Sequence, residues 1–318
     1  MTRVVFMGTP VFAVPSLEAL VQNGYEVAGV FTQPDRPVGR GRKIAACPVK
    51  QRAAELGLPV FQFERIRWKE GVEALKSLSP DVMVTAAFGQ ILTQEILDIP
   101  RHGTVNVHAS LLPAHRGPAP VNWAILNGED TTGVTTMLTD AGIDTGKMLL
   151  SASTPIGAEE TADELTLRLS HIGAELLVRT LEGYLSGRII PVPQPSEGAS
   201  YDPMLTKEMG LIDWRSGARS LVCRVRGLSP WPGTYTETEQ GQLKIWAARE
   251  CASAPGSAPG TVLAASAKEG LIVACGDGSV ELTEIQAPGG KRMQAKAYLA
   301  GRSIPVGTVF GNGKGAEA

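Results

Sequence analysis

A parallel, doubly wound α/β domain followed by a small β-barrel is the fold class this sequence predicts, and three observations predict it. Short apolar runs alternate with helix-spaced segments through the first 187 residues. A stretch with four prolines, Arg188 to Pro203, then breaks that rhythm. Beyond it come short β-like segments separated by Gly-rich turns.

The elements follow in order. Val4-Val5-Phe6-Met7-Gly8 is a buried-strand pattern, and Pro10 to Asn23 carries Val14, Leu17, Ala19 and Leu20 at helical spacing before Gly24 stops the helix. Tyr25 to Phe31 reads as a second strand. The same alternation returns at Asp81 to Ala86, Gly103 to Val107 and Val134 to Leu138, all expected in one mostly parallel sheet with right-handed connections. A helix is expected near Val121 to Leu126. Thr161 and Glu164 form a capping box for a helix whose Leu165, Leu169, Ile172, Leu176 and Leu185 share a face, ended by Gly187. Residues 1–187 are therefore one domain, 188–206 a proline-rich extended connector, and 207–318 a second domain. In that second domain a helix near Gly217 to Leu228 precedes strands at Leu243 to Ala247, Thr261 to Ala264, Gly270 to Ala274 and Ser279 to Ile285. Short strands in that number suggest a small barrel. The Gly-rich end, Gly311 to Ala318, is expected to be disordered.

Composition narrows the class. The opening residues show no pattern of a signal peptide or a spanning segment, so a cytoplasmic protein away from membranes is expected. Cys47, Cys223, Cys251 and Cys275 stand far apart with no CxxC pair and no His at ligand spacing, which signals neither a metal site nor a disulfide framework. Net charge is −2, but from Tyr201 onward 13 Lys and Arg face 11 Asp and Glu, against 17 and 21 before it. Any nucleic-acid contact would then be local and salt-sensitive.

Chemistry concentrates where apolar strands run out, because open parallel sheets bind ligands outside their carboxyl ends. Asn106 and His108 alternate with Val105 and Val107, which sets a neutral amide and a titratable imidazole on one side of a strand. A capping Asn and a structural His would read the same way. The loop Ser110-Leu-Leu-Pro-Ala-His-Arg-Gly-Pro is rigid enough to wall a pocket. Asp140 and Asp144 follow in a Gly-rich turn, where a carboxylate is most often an Asx-turn or a cap.

Taken together, Asn106-x-His108, Ser110-Leu-Leu-Pro-x-x-Arg116-Gly and Asp140-x-Gly-x-Asp144-x-Gly146 resemble, in order and spacing, the 10-formyltetrahydrofolate formyltransferase family. That resemblance implies a Rossmann-like catalytic domain and a catalytic set of Asn106, His108 and Asp144. It implies 10-formyltetrahydrofolate as formyl donor and no metal. An amine would attack the formyl carbon; the Asn106 amide and protonated His108 would hydrogen-bond the oxyanion, on the order of 2.7–4 kcal/mol for each well-placed donor. Asp144 would favour the imidazolium and relay the amine proton through water. The resemblance extends to Ala86-Ala-Phe-Gly-Gln-Ile-Leu, similar to a loop that reads the pterin ring through backbone amides. It implies folate contacts at Phe88, Gly89, Gln90, Ile91, Leu92, Ser110, Leu111, Leu112, Pro113, Asp140 and Gly142.

The acceptor is read from two further features. Arg36, Arg40, Arg42 and Lys43 lie on a Gly-rich loop ill-suited to helix or strand. Such a run is commonly a solvated surface loop, but it resembles the tRNA-contacting loop of the family's tRNA-acting members. OB-like barrels commonly bind oligonucleotides. Lys207, the nearby Ile212-Asp-Trp214 and Ser229-Pro-Trp-Pro-Gly233 resemble the second domain of the same members. The resemblance thus implies tRNA contacts at Arg36, Arg40, Arg42, Lys43 and Lys207, with the α-amine of initiator methionyl-tRNA as acceptor in translation initiation; a monomer is expected. A small-amine formyltransferase would share the motifs but leave the basic loop and barrel without a role. A nucleotide-binding oxidoreductase is opposed by Gly8-Thr-Pro10, whose proline removes an amide that a pyrophosphate would need. A non-catalytic RNA-binding module is opposed by Asn106, His108 and Asp144.

Overall fold

A computed structural model of the 318-residue chain describes residues 1–38, 43–251 and 256–311. The expected disordered tail therefore lies, apart from Gly311, outside the described residues. Two compact units are distinguished by their internal contacts: residues 1–120, 131–155 and 166–202 form the first, and residues 121–130, 156–165 and 203–318 the second.

The first unit starts with β1 (Arg3–Gly8), a 3₁₀ turn at Val11–Ala13, α1 (Val14–Gln22) and β2 (Glu26–Thr32). Pro15 sits in the first turn of α1, where its missing N–H costs nothing. A ribbon of β3 (Arg36–Val38) and β4 (Lys43–Ala45) follows, then α2 (Pro48–Glu55), β5 (Val60–Gln62), α3 (Lys69–Leu78), β6 (Val82–Ala86), α4 (Gln94–Leu97) and β7 (Thr104–His108). Next along the chain come α5 (Pro120–Leu126), which apart from Pro120 belongs to the second unit, then β8 (Thr131–Leu138), β9 (Met148–Pro155) and α6 (Ala162–Leu185), whose residues 162–165 are also counted with the second unit.

The seven-stranded sheet has the order β5-β2-β1-β6-β7-β8-β9. Its first five strands are parallel, and the winding reverses between β1 and β6, the switch point at which such sheets bind ligands. Val5, Met7, Phe31, Ile66, Leu75, Met83 and Ile96 close a core on one face, where Phe31 and Phe61 stack with centroids 4.9 Å apart.

Two expectations need correction. Val134 to Leu138 was expected as another parallel strand, yet β8 runs antiparallel to β7, with His108 opposite Thr135 and Val105 opposite Leu138. A parallel crossover must return the full length of the sheet. Here the chain leaving β7 folds into the proline-rich loop instead, so β8 starts beside the carboxyl end of β7. The basic loop was expected to avoid regular structure, but its flanks pair as an antiparallel ribbon with Arg36 opposite Ala45 and Val38 opposite Lys43. Regular pairing there needs only the flanking residues, not the glycines between them.

The second unit holds α7 (Ala218–Gly227), β10 (Thr234–Thr238), β11 (Gly241–Cys251), β12 (Val262–Ser266), β13 (Gly270–Ala274), β14 (Ser279–Gln286), β15 (Met293–Gln294) and α8 (Ala295–Gly301). Its antiparallel sheet has the order β10-β11-β14-β13-β12, with β15 also on β14. Ile212, Trp214, Leu221, Ile245, Val273 and Phe310 contribute to its separate core. Trp214 donates its indole N–H to the buried Thr236 hydroxyl at 2.9 Å.

Candidate active site

The site begins with the alternation of β7. Val107 packs against α6 at Gly173, where an added Cβ would stand 2.8 Å from Val107 Cγ1. Only glycine permits that approach. Asn106 and His108 therefore project from the opposite face of the sheet. Thr85, which neighbours Asn106 in the β6–β7 register, donates its hydroxyl to Asn106 Oδ1 at 2.8 Å. The amide NH₂ of Asn106 is thereby turned toward other partners.

His108 is buried, and its Nε2 lies 2.8 Å from the main-chain oxygen of His115. A carbonyl can only accept, so Nε2 carries a proton. The other ring nitrogen, Nδ1, stands 3.6 Å from Asp144 Oδ1. Asp144 adopts a left-handed backbone, φ 52°, and its Oδ2 accepts the Gly117 N–H at 2.9 Å. Gly146 closes the same turn, since a Cβ there would fall 1.7 Å from the Leu138 carbonyl. Asp140 Oδ1 accepts from the Gly142 N–H at 3.0 Å and the Thr145 hydroxyl at 2.7 Å, an Asx-type brace on the exposed side of the turn.

The loop after β7 is fixed by Thr135, whose hydroxyl donates to the Ser110 carbonyl at 2.8 Å and accepts the Leu112 N–H at 3.1 Å. The Ser110 hydroxyl donates to the Ala114 carbonyl at 2.7 Å. Leu112 is buried, while Leu111 and Pro113 are half-buried. The loop's far end is held by residues 194–202. Gln194 Oε1 accepts from Arg116 Nη2 at 2.8 Å, and its Nε2 donates to the carbonyls of Asp144 and Gly146, each at 2.8 Å. Asp202 Oδ2 lies 2.6 Å from His115 Nδ1.

The loop implied to read the pterin leaves β6 at the switch point. Thr9 and Gln33 hold the Phe88 carbonyl, and Gln33 Nε2 also donates to the Gly89 carbonyl at 2.8 Å. Gly89 has φ 77°, Phe88 and Leu92 are buried, and Ile91 is exposed. Gln90 uses its side chain to brace a neighbouring segment, accepting from the Ile66 N–H and donating to the Phe63 carbonyl. Beside this edge, the Lys50 ammonium and the Gln62 amide hold the Asp35 carboxyl below the usual carboxylate range.

The structure thus brings Asn106, His108 and Asp144 together and frames them with the Ser110–Pro113 loop. Of the implied tRNA contacts, Arg40 and Arg42 lie outside the described residues. Lys43 is on the ribbon backbone, and the exposed Arg36 pairs with Glu64 at 2.8 Å. Lys207 is exposed in the second unit. Thr85, His115, Thr135, Gln194 and Asp202 were not singled out from sequence. No group of three or more His, Cys, Asp or Glu placed to hold a metal occurs among the described residues. Among the same residues no helix is long and apolar enough to cross a membrane.

An amide and an imidazole–carboxylate pair at the end of an α/β sheet suit acyl transfer. Residues 2–181 match the Formyl transferase family, and residues 204–303 match Formyl transferase, C-terminal domain. The chain belongs to the formyl transferase family. It is 48% identical over 308 residues to the methionyl-tRNA formyltransferase of Trichlorobacter lovleyi, covering 97% of this chain and 96% of that one. Identity to the methionyl-tRNA formyltransferase of Solibacter usitatus is 49% over 311 residues, covering 98% and 99%. The N-formyltransferase of Helicobacter canadensis, crystallised with folinic acid and dTDP-3-aminofucose, shares the fold with a TM-score of 0.65 at 19% identity, covering 89% of this chain and 99% of that one.

Proposed function

We infer that this protein transfers the formyl group of 10-formyltetrahydrofolate to the α-amine of initiator methionyl-tRNA, giving formylmethionyl-tRNA for translation initiation. The observation that carries this reading is the 48–49% identity to methionyl-tRNA formyltransferases over nearly the whole of both chains, second domain included.

In this reading Asn106, His108 and Asp144 are the catalytic residues. As the amine attacks the formyl carbon, negative charge grows on the formyl oxygen, and the Asn106 NH₂ stabilises it. One preorganised donor of this kind contributes on the order of 2.7–4 kcal/mol. His108 Nε2–H is committed to the His115 carbonyl, so Nδ1 is the nitrogen that meets the reacting atoms and Asp144. Protonated at both nitrogens as charge develops, His108 donates from Nδ1 to the oxyanion, with the Asp144 carboxylate 3.6 Å away as its counter-charge. Asp144 then takes the proton of the attacking amine through water while the amine nitrogen of the departing tetrahydrofolate regains one.

Folate is assigned to Phe88, Gly89, Gln90, Ile91 and Leu92, to Ser110, Leu111, Leu112 and Pro113, and to Asp140 and Gly142. A backbone loop braced by Gln33 and Thr9 and carrying the exposed apolar Ile91 suits a flat heterocycle with amide edges. The tRNA is assigned to Arg36, Arg40, Arg42, Lys43 and Lys207. The Arg36–Glu64 pair is exposed on both sides, so a phosphate can replace the carboxylate at little cost. Catalysis is placed in residues 1–187 and tRNA docking in 207–318, joined by 188–206. The second unit's antiparallel strands are read as an OB-like barrel, and the enzyme as a cytoplasmic monomer.

The test is transfer of radiolabelled formyl from the donor to initiator methionyl-tRNA. Label should become acid-precipitable, and prior deacylation of the tRNA should abolish it. Label surviving deacylation, or none at all, would reject the assignment.

A further inference from the structure

We propose that His115 and Asp202 are positioning residues for His108, holding its imidazole with the proton on Nε2 and with Nδ1 facing Asp144. This deepens the reading of His108 as catalytic and rests on it. The two side chains are only 7% and 8% exposed, and Asp202 Oδ2 lies 2.6 Å from His115 Nδ1. An ionisable pair so deeply buried is expensive unless its geometry is specified from several sides.

Here it is. The His115 N–H donates to Ser200 Oγ at 2.8 Å, the Arg116 N–H to the Ser200 carbonyl at 3.0 Å, and the Asp202 N–H to the Arg116 carbonyl at 2.7 Å. Residues 200–202 thus staple residues 115–116 through both backbone and side chain. Gly117 lets that strand lie close, since a Cβ there would stand 2.5 Å from the Asp202 carbonyl.

The staple matters because of what His115 does with its own backbone. Its φ is +59°, a left-handed conformation that non-glycine residues seldom adopt. In that conformation its carbonyl accepts from His108 Nε2 at 2.8 Å. Asp202 fixes the His115 ring, the ring and the staple fix the carbonyl, and the carbonyl selects the proton-bearing nitrogen of His108. Were the carbonyl free to turn away, a neutral His108 could place its proton on Nδ1 and rotate. The nitrogen facing Asp144 and the formyl oxygen would then change. A purely structural pair would stabilise the loop without affecting the His108 tautomer.

The experiment uses the full-length chain with ¹⁵N-labelled histidine. The sequence has four histidines, so the ring nitrogens of His108 can be assigned by their loss in His108→Gln. Spectra are taken across a pH series and read on the alkaline plateau, where the ring-nitrogen shifts of His108 no longer change and the imidazole is neutral. In the wild type, His108 should show a protonated Nε2 and an unprotonated Nδ1. In Asp202→Asn and in His115→Ala it should become a mixture of tautomers. With transfer assayed alongside, kcat should fall on the order of 10-fold to 100-fold while KM for both substrates stays within about twofold. Asp202→Asn is nearly isosteric, and its Tm reports whether the loop still folds.

A His108 that stays wholly Nε2-protonated in both variants would overturn the proposal. So would tautomer mixing with unchanged kcat. The spectra need no acceptor, so a wild type that fails to formylate methionyl-tRNA would refute the substrate assignment while leaving the tautomer result to decide the role of the pair.

Discussion

The Thr85 hydroxyl donates to Asn106 Oδ1 at 2.8 Å, across the register that pairs these two residues of β6 and β7. An asparagine amide has two nearly isosteric orientations, and this bond selects the one that presents NH₂ to the site. Thr85→Val keeps the shape and removes the donor. We expect kcat to fall about tenfold, less than the loss of the whole oxyanion donor, with KM for folate nearly unchanged. Steady-state kinetics decide it, and an unchanged kcat would remove Thr85 from the account.

Asp144→Asn should leave the fold intact, because asparagine also tolerates the left-handed backbone found there. The Gly117 N–H can still be accepted by the amide oxygen. What disappears is the charge beside His108, and turnover should drop on the order of 10²-fold or more. Near-normal rates in a variant with unchanged Tm would contradict the electrostatic role.

At the start of α6 the hydroxyl and the N–H of Thr161 both donate to Glu164 Oε2, and these bonds hold the Glu164 carboxyl below its ordinary value. A depressed native carboxylate stabilises the fold above its unfolded-state value and loses that contribution as pH falls through the native one. The Tm difference between wild type and Glu164→Gln should therefore favour wild type at neutral pH and shrink toward zero below the ordinary carboxylate range. Thermal melts across that range check it; a difference that grows on acidification has the wrong sign.

Neutralising Arg42 as Arg42→Gln should raise KM for the tRNA about tenfold and leave folate binding alone. The slope of log KM against log salt should fall by about 0.7–0.9, as for the loss of one phosphate contact. An unchanged salt slope would argue against phosphate contact by this loop.

The α/β order, the second domain and the Asn106–His108 face were legible in the sequence because period-two alternation and residue identity are both local. The residues that orient the site were not. Thr85 is 21 positions from Asn106, and Asp202 is 87 from His115, so these partners emerge only from strand register and loop closure. The direction of β8 was hidden because an apolar run encodes burial and not polarity. The β9 edge strand did leave a signal in its second half, where exposed Ser151, Ser153 and Pro155 alternate with half-buried Ala152 and Thr154. The proline-rich stretch read as a connector, yet it also carries Gln194, Ser200 and Asp202 to the site loops. Prolines report an extended backbone and say nothing of what its side chains touch.

The central claim is tested most directly by transferring radiolabelled formyl from 10-formyltetrahydrofolate to initiator methionyl-tRNA, elongator methionyl-tRNA and glycinamide ribonucleotide at matched concentrations. Selective labelling of the initiator is the expected result. Labelling of glycinamide ribonucleotide alone would contradict the assignment of the basic loop and second domain to tRNA, and labelling of none of the three would contradict the formyl-transfer reading itself.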